Sequence, residues 1–515
     1  MNIRNLHTLC LALAIACTLA GSLAAEAKPR YITYEKFGAK GDGVTDDMPA
    51  IVAAHKAANE KGLPVRAKAG RTYFIGKAPL TAEIRTDTDW GKARFVIDDV
   101  DTPGIKTPVF VIAPDLASFH VKGLTGVRRG QTGLGITLPC RCLVEIVNEE
   151  KKVFIRKGRN QNNGTAQREV LLVGEDGTVD PATPVVFDYG KITKAKAWPA
   201  DEKPITVRGG IFTTIANQCA SEYTYHARGI TVKRSGARLE GITHLITGEL
   251  DHGAPYRGFI ALEHVTGVTV TDCVLTGHKT YIKEKGAAGL PVSMGSYDLN
   301  ATSCAHILWK NCRQTNSIDD RTYWGTFTSN FCKDLTVEDC SLSRFDAHQS
   351  VTNVTLRNCT FGHMGVRMVG FGTLLVENCE VRCGSLVSLR SDYGSTWEGD
   401  IILRGCTLRP SEGVKNLAIL SGSNDGSHDF GYPCRLPFRV IVERLLIDDD
   451  ACEGIKGYGG PAAVSSFGRK TGSEEPFPFG TDCTVTLSAV TVSSSRPLVT
   501  VPNPEAFPGL TVAEY

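Results

Sequence analysis

Between Val268 and Leu408 one short phrase of alternating apolar and polar positions recurs six times. It reads Val268-Thr-Val-Thr-Asp-Cys273, Ile307-Leu-Trp-Lys-Asn-Cys312, Leu335-Thr-Val-Glu-Asp-Cys340, Val354-Thr-Leu-Arg-Asn-Cys359, Leu374-Leu-Val-Glu-Asn-Cys379 and Ile401-Ile-Leu-Arg-Gly-Cys406. Apolar residues fall five and three positions before each cysteine, the period of a strand buried on one face. Asp, Asn or Gly precedes the cysteine, and these residues tolerate the left-handed backbone that a sharp turn needs. Each copy therefore predicts a strand that bends and points its cysteine back inward. The cysteines recur at intervals of 19 to 39 residues. Units of that size cannot bury an apolar face alone, and they stack into a solenoid. Strands without a helical period predict an all-β parallel β-helix rather than a leucine-rich or ankyrin array.

Outside the phrase, strand-like runs continue at 109–112, 119–121, 170–173, 205–212, 230–232 and 259–262, read as earlier coils, and at 438–442 and 484–492. The polar stretch Lys151 to Asn163 reads as a hairpin or loop projecting from the solenoid. No linker divides the chain, so residues 28–515 read as one domain, with a cap over 28–76 and coils over 77–515.

Composition adds compartment. Arg4, the apolar run Leu9 to Ala20 and the small residues at 25–27 read as a signal peptide over 1–27, too short to span a membrane with its flanks. Export is expected, to the periplasm, cell surface or medium, with a lipid anchor at Cys17 as the disfavoured variant. No other stretch is membrane-spanning, and the formal charge of +2 makes no electrostatic case for nucleic acid. Of 17 cysteines, the six of the phrase read as stacked buried thiols. Cys140 with Cys142, and Cys434 with Cys452, stay open to pairing, and no zinc spacing is present.

Behind the leader stands Phe37-Gly-Ala-Lys-Gly-Asp42-Gly-Val-Thr-Asp46-Asp47, then an alanine-rich helical run with Thr45 or Asp46 as N-cap and Gly62 near its end, then Gly70-Arg-Thr-Tyr-Phe-Ile75. Asp42, Asp46 and Asp47 read as turn and cap residues. This order of phrase, helix and Gly-x-x-Tyr-x-Ile resembles the N-terminal cap of the pectate lyase superfamily, including its polygalacturonase-related branch. The resemblance implies a right-handed parallel β-helix with a short capping helix, acting on a polysaccharide; the oligomeric state is open, with a monomer expected. It is specific for fold and says little about reaction, because many chemistries share the scaffold.

If the phrase is the back of each coil, chemistry lies between phrases. Those intervals hold Asp298; Asp319, Asp320, Arg321, Tyr323 and Trp324; Arg344, Asp346 and His348; His363 and Arg367; and Arg390, Asp392 and Tyr393. Glycoside hydrolysis needs an acid and a carboxylate, which Asp319, Asp320 and Asp346 can supply, with His348 and His363 as proton-transfer candidates. In polygalacturonases one Asp precedes an Asp pair by about a coil, and Asp298 before Asp319-Asp320 is similar, although Asn-Thr-Asp, Gly-His-Gly and Arg-Ile-Lys are all missing. Aligning 295–300 with 325–330 stacks Asp298 on Thr328. A lyase instead needs a base and cations beside a uronate carboxylate, and Arg321, Arg344, Arg367 and Arg390 stand 23 residues apart. Calcium, if a lyase uses it, would fall to Asp319, Asp320 or Asp346, without a visible calcium-loop spacing. Asp298, Arg321, the three later arginines and Asp392 are expected to bind sugar, with Tyr323, Trp324, Tyr393 and Trp397 stacking on its rings. Hydrolysis and β-elimination both stay open, as does a non-catalytic glycan-binding protein on the same scaffold.

Overall fold

The computed structural model describes residues 31–325, 327–424, 428–465 and 479–515, so the leader and Cys17 lie outside it. Each phrase is a strand, or part of a longer one: Thr269–Thr271, Ala305–Lys310, Phe327–Glu338, Ser341–Arg357, Gly370–Glu377 and Trp397–Arg404. They pair in parallel with Val270 on Trp309, Trp309 on Val337, Val337 on Leu356, Leu356 on Val376 and Val376 on Leu403. The phrase thus builds one column of core side chains, each such aliphatic burial worth roughly 1.5–3 kcal/mol.

The bend after each strand is as the residue types require. Asp272, Asn311, Asp339, Asn358, Asn378 and Gly405 have φ between 51° and 60°. Their side chains form a ladder, Asn358 donating to Asp339 at 3.1 Å and Asn378 to Asn358 at 3.4 Å. Behind them the thiols stack in the core, with the Cys340 amide on the Cys359 sulfur and the Cys359 amide on the Cys379 sulfur, each at 3.4 Å. All cysteines among the described residues are free, and the Cys140 and Cys142 sulfurs lie 3.8 Å apart.

Every coil carries three strands, so three parallel sheets enclose the core. One holds the phrase strands. A second follows the one-residue bend, as where Thr360 pairs with Glu380 and Glu380 with Thr407. The third, called the groove sheet below, runs from Ala82–Ile84 through Phe110–Ile112, Ile230–Val232, Ile260–Glu263 and Leu299–Thr302. The longest connections flank this third sheet, the insert leaving it after Ile112 and the 276–298 connection entering it before Leu299, and here a side-chain-lined groove can form. Asn300 pairs with Thr328 there, two residues away from the internal alignment that put Asp298 on Thr328.

Helix α1, Met48–Lys61, caps the first coil with Ala54, Ala58 and Ile51 buried. Asp47 occupies the N-cap position and Gly62 ends the helix at φ 61°. The three carboxylates do turn work: Asp42 accepts the Val44 and Thr45 amides, Asp46 the Met48 amide, and Asp47 the Lys40 and Gly41 amides.

One stretch departs from the expected coils. Phe119–His120, Cys142–Val153, Thr165–Val173 and Lys194–Pro199 form an antiparallel sheet inserted between two solenoid strands, with its own apolar cluster around Val144, Leu171 and Tyr189. The runs at 119–121 and 170–173 belong to this insert. Its strands alternate as solenoid strands do, and pattern alone does not tell parallel from antiparallel partners. The insert lies along the flank of the groove sheet, held by the buried pair Lys333–Glu169 and by Trp198 stacked on His264 at 4.1 Å.

Candidate functional site

Strand Ser341–Arg357 carries the centre of the site on alternate positions. Phe345 and Ala347 enter the core, so Arg344, Asp346 and His348 face the groove. One coil on, Arg367 pairs with Asp346, and Ser388 pairs with Arg367, which puts Arg390 two residues further along the same face. The 23-residue arginine spacing becomes a diagonal across the sheet, advancing two residues per coil. Arg321 is not part of it; its guanidinium reaches Glu412 at the exposed surface.

Asp346 is the hub. It is fully buried and accepts from Arg344 and Arg390, with the Tyr297 hydroxyl at 3.5 Å. Burial would raise its pKa, but the two guanidiniums outweigh it and hold the carboxyl well below the usual range. Arg390 also grips Asp392 with both ends of its fork, at 3.1 and 2.8 Å. Asp392 is lowered too, Arg390 and Arg156 overcoming its burial.

The insert delivers the next residue. From the tip of its long hairpin Arg156 reaches Asp392 at 2.7 Å and His348 Nε2 at 3.1 Å, and lies 4.1 Å over the Tyr393 ring. His348 Nδ1 stands 3.0 Å from the Asn330 side-chain oxygen. Burial first, and then the positive charge of Arg390, push the His348 pKa down to about 3. The ring is therefore neutral at ordinary pH, donating from Nδ1 to Asn330, while the Nε2 lone pair accepts from Arg156, with the Tyr393 hydroxyl at 3.4 Å.

Trp324 lies 5.0 Å from the Arg344 guanidinium and packs on the backbone of Gly295, where a β-carbon would come within 1.8 Å of the indole nitrogen. Tyr223, Tyr225, Lys283 and Lys285 complete the wall of a cleft of about 760 Å³. Burial holds the Tyr297 and Tyr225 hydroxyls protonated, their pKa values raised.

The structure thus brings together Arg344, Asp346, His348, Arg367, Arg390, Asp392 and Trp324, and separates the others. Asp298 points into the interior, where it accepts from His244 at 2.7 Å and His278 at 2.9 Å. Asp319 pairs with Arg382 at 2.8 Å, and Asp320 accepts the Thr322 amide at an exposed turn. Neither joins Asp346, so the three do not form one ligand set. His363 holds that turn by its contact with the Tyr323 carbonyl at 3.0 Å, and Tyr323 contributes backbone there rather than a ring in the cleft. Tyr393 and Trp397 are buried, Tyr393 lying beneath Arg156 and Arg390 rather than facing a sugar.

Sequence reading missed Arg156, Tyr223, Tyr225, Tyr297, Lys283 and Lys285. Two signals existed: the charged excursion at 151–163, and the position of Tyr297 beside Asp298. Among the described residues, the His, Cys, Asp and Glu side chains close enough to share a metal ion are His244, His278 and Asp298, all buried, with both histidines hydrogen-bonded to Asp298. No described helix is long and apolar enough to cross a membrane.

No protein-family profile and no curated protein matches this chain. Solved structures share its fold. The Gp54 tailspike of Acinetobacter baumannii bacteriophage AP22, in complex with A. baumannii capsular saccharide, covers 90% of this chain and 76% of its own, at TM-score 0.50 and 10% identity. The Pseudomonas phage phi297 tailspike gp61 covers 90% and 80%, at 0.47 and 11%. An exopolygalacturonase from Thermotoga maritima covers 91% and 93%, at 0.35 and 11%. Such identities speak to fold alone. With the repeat, the cap and the stacked parallel coils, the likeness to the AP22 tailspike shows that this chain has the parallel β-helix fold.

Proposed function

We propose that this protein is an exported enzyme that cleaves an acidic, uronate-containing polysaccharide by β-elimination in the cleft over Asp346. The supporting observation is the charge of the lining. Arg156, Lys283, Lys285, Arg344, Arg367 and Arg390 meet in one cleft whose lining contains a single carboxylate, Asp392. Cations so placed neutralise a uronate carboxylate and the enolate that forms from it.

β-Elimination also needs a base and a proton donor. His348 is the candidate base: once a uronate carboxylate draws Arg156 off Nε2, that nitrogen takes the proton from the carbon beside the carboxylate. The carbon–oxygen bond to the leaving sugar then breaks, a double bond forms in the ring, and the Tyr297 hydroxyl returns a proton to the departing oxygen. Hydrolysis is less well served, because it needs one carboxyl kept protonated. Asp346 and Asp392 are both held ionised by arginines, and Asp319 and Asp320 lie elsewhere.

The test is a panel of acidic and neutral polysaccharides, with and without calcium, read for reducing ends and for ultraviolet absorbance of unsaturated uronate. The reading requires both signals on an acidic polymer, and a His348→Ala variant slower by roughly 10²–10⁴-fold with binding retained. Reducing ends without absorbance would transfer the assignment to hydrolysis. Binding without any product would make it a glycan-binding protein.

A further inference from the structure

The cleft is roofed. From one side comes the insert's hairpin tip, closed on itself by paired hydrogen bonds between Arg156 and Asn162 at 3.2 and 3.1 Å. From the other comes a second hairpin, Tyr281–Lys283 paired with Val292–Met294. The two tips touch over the groove: the Gln161 side chain donates to the Ala287 carbonyl at 3.3 Å, and a β-carbon on Gly286 would lie 3.1 Å from the Arg159 carbonyl oxygen.

Both arms are braced. The first is tied to the floor by Arg156 on Asp392, and to the later coils by the Ile155 amide on the Phe430 carbonyl at 3.3 Å. The second is tied to the preceding connection by the Lys283–Glu222 ion pair. Beneath them the same cleft that contains Arg344, Arg367 and Arg390 is lined from above by Asn160, Gln161, Gly286 and Ala287. A further cavity of about 970 Å³ lies against the other side of the arch, lined by Ile155, Lys157, Asn163 and Asp429.

A polymer laid sideways into a groove must pass every point above it, and here that path is closed by protein on both sides meeting in the middle. We infer that the protein engages its polysaccharide by a chain end passed beneath the arch, and not at arbitrary internal positions. The arch is then a specificity element built from the insert and the 281–294 hairpin. This rests on the proposed function for the polyanionic nature of the ligand, but not for the occurrence of cleavage.

End-on engagement can be measured without turnover. Size-fractionated polygalacturonate and hyaluronate, each in a short and a several-fold longer fraction, are titrated into His348→Ala protein at low ionic strength by calorimetry. End-on binding predicts that protein bound per polymer chain stays constant as length rises, and that replacing residues 159–162 by Gly-Gly makes it increase in proportion to length. Circular dichroism and an unchanged melting transition check that the shortened protein is folded. Proportional binding by the full-length hairpin would overturn the inference and leave the polyanion reading standing. Absence of binding to either polymer in either protein would sink both. Where cleavage occurs, uniform short unsaturated products with slowly falling viscosity agree with the arch, and rapid viscosity loss contradicts it.

Discussion

Asp298 and Asp346 sit two coils apart, and both are buried carboxylates held between two nitrogen-bearing side chains. Around Asp298 the partners are His244 and His278, with Phe259 stacked on His244 at 3.8 Å and Tyr256 on His278 at 4.7 Å. The outer ring nitrogens are spoken for as well, His244 Nε2 by Thr214 at 2.9 Å and His278 Nδ1 by Glu249 at 3.4 Å. Around Asp346 the partners are the guanidiniums of Arg344 and Arg390, and they open onto a cleft. Both carboxyls are shifted down strongly, so a perturbed pKa does not separate them. What separates them is the mouth: the sealed network joins coils to one another, and the open one presents permanent charge to a ligand.

Removing Asp298 is the strongest way to sharpen that contrast. Asp298→Ala strands His278 against Glu249 in the interior, and a denaturant titration should show a loss of about 3–5 kcal/mol. The pH dependence follows from His278. Burial lowers its pKa, but Asp298 and Glu249 outweigh that and raise it to about 9. A histidine raised above its unfolded value of about 6.5 contributes stability in full below that value and loses it as pH climbs through the folded one. Unfolding midpoints should therefore fall between pH 6.5 and 9.5 or so, and Asp298→Asn should flatten this slope while Asp346→Asn leaves it in place.

At the cleft the expected effects are on ligand. Arg367 is exposed and pairs with no carboxylate among the described residues, its Nε donating to the Met364 carbonyl at 3.2 Å. Arg367→Gln should weaken polygalacturonate binding roughly tenfold, about 1.4 kcal/mol, with a shallower salt dependence and an unchanged melting point. The smallest effect belongs to Asp320→Asn: an exposed turn carboxylate outside the cleft should change neither turnover nor stability by more than about 0.5 kcal/mol. A large loss of turnover there would return the Asp319-Asp320 pair to the catalytic centre and break the comparison.

Much of the scaffold is legible in the sequence. The turn residues before each cysteine, the inward thiols, the cap phrase and its helix all follow from local chemistry repeated in register. Arg344, Asp346 and His348 were legible as a cluster because they alternate on one strand. The Asp319-Asp320 pair misled because a turn carboxylate and a catalytic one have the same local sequence, and only neighbours distinguish them. Tyr393 misled for a similar reason, since a ring beneath two guanidiniums and a ring under a sugar read alike.

Sequence alone determined the period, the bend, the buried face and the approximate strip where charge gathers, because strand alternation and left-handed turns are decided within a few residues. Tertiary structure decided everything that depends on distant segments meeting. It sent Asp298 inward, brought Arg156 from an insert some 190 residues before His348 to within 3.1 Å of it, and joined two hairpins into a roof. Those contacts arise from packing and long-range ion pairs, whose partners no local pattern names.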